Sequence, residues 1–291
     1  MINLYETLKT FPGLSLNLTC RDLLFTQYEC PQIEKKEKFF IERNLIIYVI
    51  RGRRIFHKNQ QSWDLGQGSC MFIKKGTHIS EKPVGEDWCV MAFFMPDDFL
   101  KHLIKENINS LPIANLPEAA VDHVLPLHVN DISQSFFASM LPYFTQSPPP
   151  PENLLELKFK ELILSLLTEN SNRRLLSYLH QLGNETEVSM EEVMNNNYTF
   201  NLTLADYAKL TAKSIPTFQR EFKRKFNDTP AKWVMKKRLS MAKELLENTS
   251  LSITDITYEC GFENPTHFSR IFKEKMGSSP LQFRTSLQIL K

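Results

Sequence analysis

The stretch Phe218-Gln219-Arg220-Glu221-Phe222-Lys223 returns as Phe268-Ser269-Arg270-Ile271-Phe272-Lys273, 50 residues further on, and this near-repeat decides the reading of the C-terminal region. Lys225, Pro230 and Trp233 recur at the same offset as Lys275, Pro280 and Phe283. Upstream the offset shortens to 49, where Leu202-Thr203-Leu204 and Asp206 match Leu251-Ser252-Ile253 and Asp255. A turn absorbs that one-residue difference. Thr203-x-x-Asp206 and Ser252-x-x-Asp255 predict capped helix starts, because hydroxyl and carboxylate satisfy the unpaired N–H groups of a first turn. A second helix is predicted from near Ser214 in one copy and from Asn264-Pro265 in the other, with Asn as cap and Pro at the first helical position. Two helices joined by a short turn make a helix-turn-helix.

Phe218, Phe222 and Phe226 recur every four residues and form one apolar stripe, as do Phe268, Phe272 and Met276. On the opposite side lie Pro216, Arg220 and Lys223 in one copy and Thr266, Arg270 and Lys273 in the other. A single helix with such a face reads as an ordinary solvated surface. Two faces repeated in register match what reading the DNA major groove requires: Arg for guanine edges, Gln219 and Asn264 for adenine, Lys for phosphate. The candidate DNA-binding set is therefore Pro216, Thr217, Gln219, Arg220 and Lys223, with Asn264, Thr266, His267, Ser269, Arg270 and Lys273. Between the copies, Ala231 to Asn248 places Trp233, Val234, Leu239, Ala242, Leu245 and Leu246 at the spacing of one amphipathic helix of about five turns.

Over residues 188 to 286 the chain resembles the AraC/XylS family of bacterial transcription regulators. The resemblance rests on Leu204-Ala205-Asp206-Tyr207-Ala208, Ser214, Phe218-x-Arg220-x-Phe222-Lys223, Pro230-x-x-Trp233, Arg238-Leu239-x-x-Ala242, Leu245-Leu246, Ile253-x-x-Ile256, Gly261-Phe262, His267-Phe268-Ser269-Arg270-x-Phe272-Lys273 and Gly277-x-Ser279-Pro280-x-x-Phe283-Arg284. It implies two helix-turn-helix modules joined by a long helix, promoter DNA and RNA polymerase as partners, and activation rather than repression. Two positions depart from the pattern. Asn227 stands where the second copy has Gly277, and Asn tolerates the left-handed backbone of a helix end. Pro216 sits on the first recognition helix, offers no hydrogen bond to a base, and leaves reading to Thr217, Gln219 and Arg220.

Charge divides the chain of 291 residues: residues 195 to 291 hold 16 Lys/Arg against 9 Asp/Glu, net +7, while residues 1 to 194 hold 19 against 24, net −5. The overall +2 hides a basic C-terminal domain whose attraction to phosphate is salt-dependent. An apolar content of 42% suits a globular protein with two cores. No apolar run has membrane-spanning length, and Met1-Ile2-Asn3-Leu4-Tyr5-Glu6 lacks the basic and apolar regions of a signal peptide, so a cytoplasmic location is expected. Five cysteines, Cys20, Cys30, Cys70, Cys89 and Cys260, form no C-x-x-C and are expected as reduced, buried thiols.

In the front part, Gly52, Gly66, Gly68, Gly76 and Gly85 punctuate runs rich in β-branched and aromatic residues. Strands are predicted at 45–50, 53–57, 70–73 and 88–95. Gly66 to His78 is similar to the turn-strand-turn of cupin-type β-sandwiches, the sensor fold at the front of many AraC/XylS members. Metal-binding cupins use a His-x-His pair with a following Glu and a later His. Here His57, His78 and His102 stand isolated, so neither a metal, a cofactor nor an enzymatic front domain is expected. Tyr48, Phe56, Phe72, Trp88 and Phe93 are candidates to line an interior that holds a small molecule, or else plain core. Ser147-Pro148-Pro149-Pro150-Pro151 reads as a stiff connector before a helix over Glu152–Glu169. That helix has an apolar arc wider than one packing face requires, to be covered by the sandwich and a following helix (Arg173 to Leu182) or by a second subunit. The polar run Gly183 to Glu187 marks the boundary.

The expected architecture is α+β. A cupin-like sandwich fills residues 1–110, a helical dimerisation segment 111–183, a linker 184–190, and an all-α double helix-turn-helix domain 191–291. The expected function is sequence-specific transcription regulation by a homodimer whose effector is a small molecule or a protein. Two alternatives remain open at this point. One is a cupin-type enzyme fused to a DNA-binding domain, and the other is an AraC-like DNA-repair protein with a reactive cysteine.

Overall fold

The computed structural model describes residues 2–289 except 11, 12, 14, 31–35, 59, 60, 119–121 and 185–187. Two compact units divide it, Met1–Thr186 and Glu187–Lys291. Part of the 184–190 linker and of the Gly183–Glu187 polar run lies outside the described residues.

The front unit runs β1 (Ile2–Asn3), α1 (Leu4–Thr10), β2 (Ser15–Cys20), β3 (Leu23–Glu29), β4 (Lys36–Ile41), β5 (Asn44–Gly52), β6 (Arg54–Lys58), β7 (Gln61–Leu65), β8 (Cys70–Ile73), β9 (Gly76–Glu81) and β10 (Trp88–Met95). There follow α2 (Asp97–Asn107), β11 (Val124–Leu127), α3 (Asp131–Thr145), α4 (Glu152–Thr168) and α5 (Arg173–Asn184). Two sheets form, in the orders β1-β4-β9-β6-β7 and β11-β8-β5-β10-β3-β2. Apart from the parallel pair β1·β4, the strand pairs are antiparallel.

Period-2 alternation sends the six-stranded sheet's side chains into two separate layers. Leu45, Ile47, Val49, Met71, Trp88, Val90 and Phe94 meet Phe39, Phe56 and Leu65 of the other sheet. Ile46, Phe72, Met91 and Phe93 meet the helices instead. With both faces covered, all eight residues of β10 are buried, which is why that strand reads as an unbroken apolar run. The five aromatics proposed as one interior lining therefore separate. Phe56 and Trp88 lie between the sheets, whereas Tyr48, Phe72 and Phe93 pack on the helical side, with Tyr48 stacked on Phe137 of α3 at 4.0 Å.

Most of the apolar arc of α4 is covered from within the same unit. Leu155, Phe159, Leu162, Ile163, Leu166 and Leu167 are buried, and Phe159 packs 3.7 Å from Phe25. Each such side chain contributes about 1.5–3 kcal/mol relative to exposure. Leu157 stays 62% exposed.

The second unit is entirely helical among the described residues: α6 (Met190–Asn197), α7 (Leu204–Leu210), α8 (Ile215–Phe226), α9 (Pro230–Asn248), α10 (Ile253–Glu259), α11 (Pro265–Met276) and α12 (Pro280–Ile289). The predicted repeat is α7-turn-α8 followed by α10-turn-α11, with α9 between, beginning one residue before the predicted start. α6 was not foreseen, although Ser189 caps it by accepting from the Glu192 N–H.

Candidate nucleic-acid interface

Both modules begin on the caps that their sequences announce. The Thr203 side chain accepts from Asp206 N while the Asp206 carboxylate accepts from Thr203 N, a reciprocal box. In the second module Ser252 accepts from Asp255 N at 3.0 Å. The turns then use the left-handed region at equivalent places, Ala212 at φ 53 and Gly261 at φ 83. After the turns, Ser214 caps α8 through Thr217 N, and Asn264 caps α11 through Thr266 N and His267 N. Both recognition helices stop on a left-handed residue, Asn227 (φ 49) and Gly277 (φ 84), whose N–H groups reach Lys223 O and Lys273 O.

The apolar stripes fix which way each helix faces. Phe218 and Phe222 are fully buried, Tyr207 stacks on Phe218, and Trp233 of α9 meets Phe222 edge-on at 6.3 Å. In the second module Phe268 and Phe272 are equally buried, against Phe262 and Phe283 at 5.0 and 5.7 Å. Burial of these rings turns the opposite faces outward. Pro216, Gln219, Arg220 and Lys223 on α8, and Thr266, His267, Arg270 and Lys273 on α11, are exposed. Thr217 and Ser269 are half-buried at the edges of those faces, and the Thr217 hydroxyl is held by Ser214 at 2.9 Å.

One candidate has a second role, as a helix cap. The Oδ1 of Asn264 accepts from Thr266 N at 2.8 Å and from His267 N at 3.2 Å. Bidentate adenine reading needs both ends of the amide, and with Oδ1 engaged as a cap only the Nδ2 end of exposed Asn264 is left without a role in that cap. Composition alone did not separate the two roles. The structure also adds Arg224, exposed in the last turn of α8 where the second module has Glu274, paired with Lys275. The first reading face is the more basic of the two.

The isolated histidines of the front unit have ordinary structural surroundings. His57 meets Glu81 at 3.2 Å, and exposed His102 meets Glu106 at 3.0 Å. His78 is buried against Lys74 O at 2.9 Å; burial, with Lys58 and His123 nearby, holds its pKa below the usual imidazole value. Lys58 is buried too, which lowers its ammonium to about 7. Among the described residues no cluster of three or more His, Cys, Asp or Glu is placed to hold a metal. Cys260 is fully buried, and burial first, then Glu259, pushes its thiol up to about 12. A thiol so raised is a poor nucleophile, which counts against a methyl-accepting role.

The family model described as ExsA N-terminal regulatory domain matches residues 44–178, and a helix-turn-helix domain model matches residues 207–286. The virulence regulon transcriptional activator VirF of Yersinia enterocolitica is 24% identical over 236 residues, covering 81% of this chain and 87% of that protein. The HTH-type transcriptional regulator ExsA of Pseudomonas aeruginosa is 21% identical over 82% of this chain and 85% of its own length. The HTH-type transcriptional activator RhaS of Enterobacter sp. (strain 638) is 28% identical over 82% and 84%. A two-sheet front unit joined to paired helix-turn-helix modules with outward basic faces defines a helix-turn-helix regulator. The helix-turn-helix domain is of the AraC type, the front domain is that of ExsA, and the relatives that span both are AraC-family transcription regulators, not enzymes.

Proposed function

We propose that this protein is a sequence-specific activator of transcription that reads promoter DNA with α8 and α11 under the control of its front unit. The observation that carries the reading is the pair of outward faces, with Arg220 and Arg270 at matching positions of two modules that share the buried frame of α9. Tied in this way, the two helices meet successive major grooves on one side of the duplex, roughly 34 Å apart, over about 20 base pairs. The net charge of +7 over residues 195–291 draws the unit to the phosphate backbone. Footprinting of the full chain on its own promoter is the test. Protection of two adjacent grooves on one face is expected, and protection confined to half a turn removes one module from the reading.

Activation, RNA polymerase as a partner and a cytoplasmic location belong to the same reading, supported by the transcriptional activators named among the relatives; among the described residues no helix is long and apolar enough to cross a membrane. The front unit acts as a cupin-like sensor of a small molecule or a partner protein, a role supported by its two facing sheets and by the match to a regulatory-domain model. Homodimerisation through α4 now rests on a narrow base, since Leu157 is the one large apolar residue of that helix left exposed. If the dimer uses it, Leu157→Glu splits the protein into monomers in sedimentation with circular dichroism unchanged. Wild-type protein that sediments as a monomer, with and without promoter DNA, removes α4 from any interface.

A further inference from the structure

Arg238 lies in the middle of α9 and is buried, with 9% exposure. Its guanidinium donates from Nε to Tyr198 O at 2.6 Å, from Nη1 to Gly261 O at 2.7 Å, and from Nη2 to Phe200 O at 2.9 Å and Asn201 Oδ1 at 3.0 Å. All four acceptors are carbonyl or amide oxygens. Asn201 in turn donates from Nδ2 to the carboxylate of Glu263 at 2.6 Å. Burial lowers the Arg238 pKa, the sign of a cation held away from water.

These partners belong to different parts of the unit. Tyr198 to Asn201 connect α6 to α7, ahead of the first module. Gly261 and Glu263 form the turn of the second. The approach is so close that a Cβ on Gly261 would stand 2.1 Å from Thr199 O. The two modules are therefore joined twice: once through the length of α9, and once where the segment before the first module is pressed onto the turn of the second. A single helical connection leaves the relative rotation of two small bodies to the short links at its ends. A second attachment removes that freedom. An apolar side chain would fill the same volume without the desolvation cost of a cation. The planar fork instead fixes directions toward three backbone carbonyls at once.

We propose that Arg238 is a positioning residue for DNA recognition. It fixes the relative placement of α8 and α11, and so the spacing between the two base-pair boxes that the protein accepts. This rests on the DNA-reading function proposed above.

The test is selection of bound sequences from a randomised DNA duplex library by the full chain, with R238K and N201A beside the wild type. Lysine keeps the charge at 238 but lacks the fork. Asn201 is exposed, so its removal weakens the junction without a buried loss. Wild type is expected to enrich two boxes at one spacing. R238K is expected to enrich the same boxes with its preference for that spacing over one base pair longer reduced about fivefold, the scale of one ordinary hydrogen bond, and N201A to do so by less. A merely structural role would weaken binding without changing the accepted spacing. Folded R238K and N201A that both keep the single wild-type spacing overturn the proposal. If R238K does not fold, N201A decides alone, and an unchanged spacing again overturns it. A wild type that enriches no box at all overturns the DNA-reading function itself, and the positioning role with it.

Discussion

The two helix-turn-helix modules reach the same backbone turn with different residues. Ala212 adopts φ 53 in the first and Gly261 φ 83 in the second, at equivalent positions of the repeat. The left-handed conformation costs an L-residue about 1–2 kcal/mol, which alanine tolerates at an exposed turn. In the second module tolerance ends, because a Cβ would strike the Thr199 carbonyl. Local conformation alone would permit alanine in both places. Packing against a segment from outside the module permits it in one, so the repeat is symmetric in its helices and asymmetric in what holds them.

The largest expected effect breaks that asymmetry directly. Gly261→Ala should destabilise the second module by about 3 kcal/mol or more, since a buried backbone clash is added to an unfavourable φ. Chemical denaturation of the full chain is the measurement, and a loss under 1 kcal/mol would show that the junction yields easily. Next comes a difference in reading. Arg270→Ala should cost about 1–3 kcal/mol through relaxed preference at one base position, and Arg220→Ala should do the same in the other box. A selection from randomised sites checks both, and uniform weakening across all sequences would move these arginines to the phosphates.

A smaller effect sharpens the comparison from the opposite side. Ala212→Gly should stabilise the first module by about 0.5–1 kcal/mol, the relieved φ outweighing glycine's extra freedom in the unfolded chain. An unchanged or lowered denaturation midpoint would mean that Ala212 is not strained. The smallest expected effect is that of Lys273→Ala, which should weaken all sites alike and lower the salt dependence of binding by about one unit of slope. Retention of the wild-type slope would take Lys273 out of phosphate contact.

Much of the reading unit was legible without coordinates because its signals are short-range. Thr203 and Asp206, Ser252 and Asp255, and Asn264 with Pro265 act within one helical turn. The Phe218/Phe222 and Phe268/Phe272 stripes act within two. Once the stripe is buried, geometry leaves the opposite face exposed, so most of the DNA-facing candidates follow from periodicity. The front unit was less legible. Its six-stranded sheet is covered on both faces, so alternation vanished from β10, and the aromatics of two layers looked like one lining. The excess width of the α4 arc likewise had two possible coverings in sequence, and most of it found its partners within the same chain.

By itself the sequence determined the duplication, the caps, the helix limits to within a residue or two and the sign of the charge on the outward faces, since each depends on neighbours three or four positions away. Tertiary structure alone decided that Phe72 and Phe56 face different layers. It alone decided, too, that Arg238 closes a junction with groups 23 to 40 residues distant. Those outcomes turn on which carbonyl or ring arrives from elsewhere in the chain, and no local pattern of charge or hydropathy encodes that arrival.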